Sequence, residues 1–165
     1  MRLYLLRHAS ASDSAPSDAE RKLTKEGEEE ARIAGAALAE LGVKPTHIFS
    51  SPLVRARQTA QIAAKALKFA GDVDVLDELQ NDSSTVQLLK ALKSFDVAGD
   101  FLLVGHAPSV SQHLTVLMGT DNAKGFPFGK GSLACLELEQ LQVGAGQLRW
   151  FMRQKQLRAI AKRQT

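Results

Sequence analysis

The amino-acid sequence predicts an α/β fold, namely a three-layer α/β/α sandwich with a mostly parallel central sheet and an antiparallel C-terminal hairpin. Two observations support this prediction. The chain has 165 residues, which suits one domain with a single hydrophobic core. Short apolar runs alternate with helical patterns, and this order is typical of parallel strands joined by crossover helices that cover both faces of a sheet.

Four short apolar runs are the predicted parallel strands, because each is rich in β-forming residues and bounded by polar residues or glycine. They lie at residues 3–6, 47–49, 73–76 and 101–104. Two further strand-like segments, 133–138 and 147–152, are separated by a stretch that contains Gly144 and Gly146. This pattern predicts an antiparallel hairpin added at the edge of the sheet.

Helical patterns fill the gaps between the first strands. The first helix is predicted to begin after Thr24 as N-cap and to run to about Leu41, where Gly42 stops it. The second is predicted to have Ser51 as N-cap and Pro52 at its first helical position.

Two shorter helices are expected in the second half of the chain. The third covers about residues 85–92, and Asp82 or Ser83 is the expected N-cap. The fourth begins at Pro108. These helices complete the alternation on which the fold class rests.

The net charge of +3 first suggests an anionic partner such as nucleic acid, but the charge is unevenly placed. We expect a domain over residues 1–152, followed by a basic tail, 153–165, that belongs to the same domain. The tail holds five of the 21 basic residues and no acid, so the remaining 16 are outnumbered by 18 acidic ones. Because no aromatic residues are interleaved in the tail, we interpret it as a solvated helical end and expect no nucleic-acid partner; an electrostatic patch for an acidic partner is the alternative. The basic residues are Arg153, Lys155, Arg158, Lys162 and Arg163.

Cys135 is the single cysteine, which excludes an internal disulfide, and the Cys and His spacings fit no zinc site. The apolar run 3–6 is too short for a signal peptide, and no run approaches the roughly 20 residues that span a bilayer. We therefore expect a monomeric cytoplasmic protein with no membrane partner, metal or other cofactor.

Chemically informative side chains follow three of the predicted strands. The first strand runs into Arg7 and His8, the second leads to Arg55, and the fourth runs into Gly105 and His106. Ligands of open α/β sheets bind just beyond the carboxyl ends of the strands. The sequence therefore predicts that two histidines and two arginines converge on one edge, without a carboxylate cluster.

This combination of side chains favours a phosphate ligand. Arginine binds phosphate oxygens through two N–H groups, and helix N-termini present free N–H groups to anions. Histidine can accept a phosphoryl group and form a phosphoenzyme that water hydrolyses. With Arg7, Arg55 and a protonated His106 to neutralise the transferring group, magnesium becomes unnecessary. These residues predict a metal-free phosphatase with a covalent intermediate.

Four stretches of the chain, in order, carry a resemblance to a known family. They are LLRHA at 5–9, RKLT at 21–24 followed by Gly27, SSPL at 50–53 continuing through Arg55 to Thr59-Ala60, and VGHAP at 104–108. Together they resemble the histidine phosphatase superfamily, also called phosphoglycerate mutase-like. The compact length and the RKLT stretch are similar to its short SixA-type branch, the phosphohistidine phosphatases.

The resemblance implies the phosphoglycerate mutase-like fold and a role for each matching residue. It implies His8 as nucleophile, Arg7 and Arg55 as phosphate clamps, and His106 as the second histidine of the pocket. Ala9 departs from the pattern, because the family usually has glycine there; alanine in an ordinary backbone conformation is compatible with it.

The resemblance also implies a general acid after the third strand for substrates whose leaving group is an alcohol. Glu78 is the first candidate and Asp82 the second. Phosphohistidine needs no strong acid, since its imidazole leaves more readily than an alkoxide.

The expected activity is a protein phosphohistidine phosphatase. One alternative is a phosphatase or phosphomutase that acts on small phosphate esters, and another is a non-catalytic module that binds phosphoproteins. Outside the proposed site, we interpret Asp18 and Arg21 as a structural pair in the first loop, and His47 and His113 as structural histidines.

Overall fold

Six strands form one sheet within residues 1–162, the part of the chain that this computed structural model describes. The strands are β1 (Arg2–Arg7), β2 (His47–Ser50), β3 (Val73–Val75), β4 (Phe101–Gly105), β5 (Leu133–Leu138) and β6 (Gly146–Met152). The helices are α1 (Lys25–Glu40), α2 (Val54–Ala66), α3 (Thr85–Leu92), α4 (Ser109–Leu117) and α5 (Gln154–Ala161). Single turns of 3-10 helix occur at Asp18–Glu20, Asp77–Leu79 and Ala123–Gly125.

The strand order is β3-β2-β4-β1-β5-β6, and the first four strands run parallel. Strand β5 pairs antiparallel with β1, and β6 pairs antiparallel with β5. This arrangement confirms the predicted fold class, including the C-terminal hairpin. It also places β1 between β4 and β5, so the strand that leads to Arg7 lies inside the sheet.

The two faces of the sheet carry separate apolar clusters because successive side chains of a strand point to opposite faces. Leu3 and Leu5 belong to the cluster that α3 and α4 cover. Tyr4 and Leu6 belong to the cluster that α1, α2 and α5 cover. The sheet is therefore the middle of three layers, as predicted.

The first helix matches its sequence signals, and the second begins later than predicted. The Thr24 hydroxyl accepts the Gly27 N–H, and Gly42, with φ of +71°, follows the end of α1. Helix α2 begins at Val54 with Leu53 at its N-cap position, so the prediction for Ser51 was wrong. The Ser51 side chain is instead turned toward a histidine of the site described below.

The extent of α3 is as predicted, but its cap is not. The Ser84 hydroxyl accepts the Gln87 N–H at 3.2 Å, and Gln87 Oε1 accepts the Ser84 N–H at 2.8 Å. This reciprocal pair satisfies two backbone donors at the helix start, so the predictions of Asp82 or Ser83 as cap were wrong. Helix α4 begins at Ser109, with Pro108 at the N-cap position.

The basic tail continues as helix α5, which packs on α1. Leu157 is fully buried there, while Lys155 and Arg158 are exposed, as expected for the solvated side of a helix end. Arg163, the last basic residue of the predicted tail, lies outside the described residues. Helices long and apolar enough to cross a bilayer do not occur within residues 1–162.

Candidate active site

The carboxyl ends of β1, β2 and β4 lie side by side at one edge of the sheet, because these strands are parallel neighbours. Arg7 pairs with Gly105, so His8 and His106 follow directly from adjacent strands, and their ring centroids are 5.0 Å apart. Arg55 lies in the first turn of α2, with its Nε 3.3 Å from His8 Nε2. The structure thus brings the predicted side chains together.

The two ring nitrogens of His8 have different partners. Nδ1 lies 2.8 Å from the Ala9 carbonyl oxygen, which can only accept, so Nδ1 donates and carries the proton. Nε2 accepts from Arg55 Nε–H and therefore holds a lone pair. Burial, together with the nearby His106 and Arg55, lowers the pKa of His8 to about 3. His8 is therefore a neutral imidazole at pH 7, with Nε2 free to act as a nucleophile.

Thr59 joins the segment that holds His8 to the helix that carries Arg55. Its hydroxyl accepts the Ala9 N–H at 3.1 Å and donates to the Arg55 carbonyl oxygen at 2.7 Å. Thr59 and Ala9 are both fully buried. Within residues 1–162, Lys68 is the only non-glycine residue with positive φ, so Ala9 has an ordinary backbone conformation and fits the position.

The loop after His8 is supported by the first half of α1. Both the N–H and the hydroxyl of Ser10 donate to the carboxylate of Glu30, at 2.8 and 3.1 Å. A Cβ on Gly27 would lie 1.9 Å from the Ser10 carbonyl oxygen, so only glycine permits this approach. Helix α1 therefore fixes the backbone from which His8 is presented.

Arg55 is 6% exposed, and its guanidinium group is held by the loop after β1. Its Nη1 donates to the Asp18 carbonyl oxygen at 2.7 Å, and its Nη2 to Asp18 Oδ2 at 3.1 Å. The predicted pair of Asp18 and Arg21 is present, at 3.2 Å. Arg21 and Arg55 together hold the pKa of Asp18 below its ordinary value.

Arg7 is the last residue of β1, and one of its N–H groups is hydrogen-bonded to a backbone carbonyl oxygen. Its Nη1 donates to the Phe128 carbonyl oxygen at 2.7 Å, whereas its buried Nε has no hydrogen-bond partner within residues 1–162. Burial lowers the pKa of Arg7 from its ordinary value, but an arginine keeps its charge. Arg7 thus has one buried N–H, on Nε, available for an anion.

His106 is 1% exposed, and its Nε2 lies 2.7 Å from Ser51 Oγ. Burial, followed by the charge of Arg55, lowers the pKa of His106 to about 4. Without an anion beside it, His106 is therefore neutral at pH 7, and the protonated His106 expected beside a phosphoryl group stays a prediction. Its Nδ1 is buried without a hydrogen-bond partner in the described part of the chain.

Ser51 and Thr59 were not foreseen as parts of this site. Ser51 precedes Pro52, and this pair is a typical helix start, which explains the wrong interpretation. The position of Ser51 directly after β2, at the same sheet edge as His8, is the signal that could have identified it.

The candidate general acids make no hydrogen bond or ion pair with this cluster of side chains in the described part of the chain. Glu78 lies in the 3-10 turn after β3, is half-buried, and makes no hydrogen bond or ion pair within residues 1–162. Asp82 is exposed and equally without such a contact in that range. The turn itself lies beside β4, since a Cβ on Gly105 would be 3.2 Å from the Leu79 carbonyl oxygen. A role for either carboxylate stays a prediction.

The remaining histidines lie in structural settings. His113 is buried and its Nδ1 is 2.9 Å from Thr85 Oγ1, which ties α4 to α3. His47 packs against the rings of Phe49 and Phe101. Residues 1–162 contain no group of three or more His, Cys, Asp or Glu side chains that could hold a metal ion.

Comparison with known proteins adds family information to this geometry. The family model of the histidine phosphatase superfamily (branch 1) matches residues 3–85, half of the chain. An uncharacterized protein of Picosynechococcus sp. is 36% identical over 116 residues, which are 68% of this chain and 70% of that protein. The phosphohistidine phosphatase SixA of Escherichia coli is 29% identical over 155 residues, 92% of this chain and 93% of that protein.

A solved structure extends this similarity to the fold. The protein histidine phosphatase SixA complexed with tungstate matches with a TM-score of 0.87 and 25% sequence identity. The match covers 95% of this chain and 99% of that one. The similarity of fold thus extends over nearly the full length of both chains.

Proposed function

The chain belongs to the histidine phosphatase superfamily and to its SixA-type branch, and from this we propose that it is a phosphohistidine phosphatase. In the proposed reaction, His8 takes the phosphoryl group from a phosphorylated protein, and water then removes it. The observation that carries the proposal is the state of His8, whose Nδ1 is committed to the Ala9 carbonyl oxygen while Nε2 keeps a lone pair.

The first step is attack of His8 Nε2 on the phosphorus atom of the substrate. The new P–N bond forms as the bond to the substrate imidazole breaks. That imidazole is protonated on its other nitrogen, so it leaves as a neutral ring that keeps the electron pair on the departing nitrogen. His8 then carries a positive charge, because Nδ1 keeps its proton. The Ala9 carbonyl oxygen, 2.8 Å from Nδ1, stabilises that charge by accepting this N–H.

The second step reverses the bond changes with water as the attacking group. Water attacks phosphorus, the P–N bond breaks, and its electron pair returns to His8 Nε2. One proton of the water is lost to solvent or to the phosphate. His8 is again the neutral imidazole that the buried setting favours, and inorganic phosphate is the product.

Charge on the phosphoryl group would be neutralised by residues of the chain, without a metal ion. Arg55 keeps one N–H free on each terminal nitrogen, and Arg7 Nε is buried and unpartnered within residues 1–162. His106 would contribute its Nδ1. A phosphate dianion beside His106 favours the imidazolium form, so we propose that binding raises the pKa of His106 and adds a positive charge beside the phosphoryl group.

A labelling experiment tests this proposal. The protein is incubated in EDTA with a protein carrying radioactive phosphohistidine, then quenched in alkali. The wild type should acquire an acid-labile, alkali-stable label, and His8→Ala should acquire none. His47→Gln is the matched control, since that histidine lies in an aromatic cluster away from His8.

Label that survives in His8→Ala would show that another residue is the nucleophile. Binding of the phosphoprotein by folded wild-type protein, without turnover or label, would favour the non-catalytic binding module instead.

A small phosphate ester is the second candidate substrate, and the place of Glu78 favours it. The turn that carries Glu78 lies beside the end of β4, from which His106 follows, so the carboxyl could protonate an alkoxide. Glu78→Gln should then slow ester hydrolysis and spare phosphohistidine turnover, with Asp77→Asn, an exposed carboxylate of the same turn, as control. Equal losses on both substrates would contradict this division.

A further inference from the structure

Arg55 is oriented by one residue of the loop after β1. Its Nη1 and Nη2 donate to the backbone carbonyl and the carboxylate of Asp18, and its Nε points at His8 Nε2. Because a guanidinium group is planar, these three contacts fix the direction of its two remaining N–H bonds. Asp18 therefore determines where Arg55 presents its donors to a phosphoryl group.

Asp18 is itself anchored at the surface. Its Oδ1 accepts from Arg21 Nη1 at 3.2 Å, and Arg21 also donates to the Ser12 carbonyl oxygen at 2.9 Å and to Asp13 Oδ1 at 3.0 Å. The Asp18 side chain is 66% exposed, whereas that of Arg55 is 8% exposed. The pair thus connects a solvated carboxylate to a buried cation.

The same contact sets the charge of the pocket. Two arginines, Arg7 and Arg55, lie beside His8. Within residues 1–162, the ion pair of Asp18 with Arg55 is the only one that involves either of them. Arg7 is paired instead with a neutral carbonyl group, that of Phe128. Asp18 therefore offsets part of the positive charge of the two arginines beside His8, with a carboxylate that it shares with Arg21.

We propose that Asp18 is a positioning residue with an electrostatic effect: it orients Arg55 and weakens phosphate binding enough for the product to leave. This inference rests on the proposed function, in which Arg55 binds the transferred group. Two uncompensated guanidinium groups would hold a phosphate dianion strongly, and slow product release limits turnover in many enzymes. Asp18 would thus favour turnover at the expense of product affinity.

Two substitutions separate orientation from charge. Asp18→Asn keeps a side-chain oxygen that can accept from Arg55 Nη2 but removes the negative charge. Asp18→Ala removes the acceptor as well. Asp13→Asn is the matched control, because Asp13 is fully exposed and pairs with Arg21 alone.

The first readout is the affinity for inorganic phosphate, measured by calorimetric titration of the folded protein in EDTA. Asp18→Asn should bind phosphate about three- to tenfold more tightly than the wild type, a modest factor because the carboxylate is well solvated. Asp13→Asn should match the wild type. A merely structural role for Asp18 would weaken phosphate binding or leave it unchanged.

The second readout is the rate of phosphoenzyme formation. Asp18→Ala should label about tenfold more slowly, while Asp18→Asn should label at a rate near the wild type and turn over more slowly because release limits it. Should Asp18→Asn fail to fold, Asp18→Glu tests the same idea: it keeps the charge, so phosphate affinity should stay at the wild-type value while labelling slows.

Unchanged or weaker phosphate binding in Asp18→Asn, or an equal gain in Asp13→Asn, would overturn the inference. The titration requires no turnover, so it also separates the two proposals. A wild type that neither labels nor hydrolyses phosphohistidine contradicts the proposed function, whatever the phosphate affinities are.

Discussion

His8 is made reactive by contacts that are mostly with the backbone. A carbonyl acceptor at Nδ1 selects the tautomer, and burial keeps the ring neutral, so Nε2 is available over a wide range of pH. The acceptor belongs to Ala9, whose N–H is in turn held by Thr59. The hydroxyl of Thr59 therefore helps to orient the His8 ring.

Replacing Thr59 by valine should impair both activity and stability. The change removes the hydroxyl at nearly constant volume and leaves the Ala9 N–H without its partner in a buried place, which costs about 1–3 kcal/mol. We expect phosphoenzyme formation to slow about tenfold, as seen for small misplacements of reacting groups. Urea unfolding and the rate of labelling measure the two effects.

Thr59→Ser is the control, because it keeps the hydroxyl and should stay within about threefold of the wild-type labelling rate. Equal rates for the serine and valine variants would show that the hydroxyl does not position His8.

The sequence could predict which residues meet at the site but only part of how they interact. His8 and His106 follow directly from apolar strands, and residues in that position of a parallel sheet converge. The contact of Asp18 with Arg55 depends on where the loop after β1 folds, and that path has no local signal, although the pair of Asp18 with Arg21 could be predicted. The charge state of His106 depends on burial, which residue type alone does not reveal.

At the scale of helices and strands, local sequence signals predicted the cap of α1 correctly and the cap of α2 wrongly. Thr24 caps α1 as predicted, since its hydroxyl has the Gly27 N–H as a partner. The Ser51 hydroxyl accepts the Leu53 N–H and also contacts His106 Nε2, while the helix begins at Val54 with Leu53 at the N-cap position. The order of the strands could not be predicted, because pairing between distant segments leaves no local pattern.

Helix α5 should contribute measurably to the stability of the sheet that it covers. Leu157 is fully buried in the cluster shared with α1, so Leu157→Ala should lower the free energy of unfolding by about 2–5 kcal/mol. Ile160 is half-buried on the same helix, and Ile160→Ala should cost clearly less. Urea denaturation of both variants gives the comparison.

If both substitutions lower the free energy of unfolding by well under 1 kcal/mol, α5 does not contribute to the stability of the domain. That result would contradict the prediction that the C-terminal tail belongs to the same domain.

On the scale of the whole molecule, buried histidines make stability depend on pH. Burial lowers the pKa of His8 to about 3 and those of His106 and His113 to about 4, against an ordinary value of 6.5. Between pH 6.5 and 4 the unfolded chain therefore binds protons that the folded chain does not. Each such histidine makes stability fall by about 1.4 kcal/mol per unit as the pH drops.

The free energy of unfolding should accordingly be greatest above pH 7 and fall steeply between pH 6.5 and 5. Urea denaturation at a series of pH values measures this slope. His113→Gln should make the slope shallower, because one of the three histidines no longer titrates. A free energy of unfolding that is flat across this range would show that these histidines are protonated in the folded protein.

The place of β1 inside the sheet has a consequence for the order in which the site is assembled. His8 is synthesised before the strands on either side of β1, because β4 and β5 come from residues 101–105 and 133–138. A growing chain therefore carries its nucleophile before the neighbouring strands that desolvate it have been made. Such distant pairings slow folding, so reactivity at His8 is acquired late, together with the complete sheet.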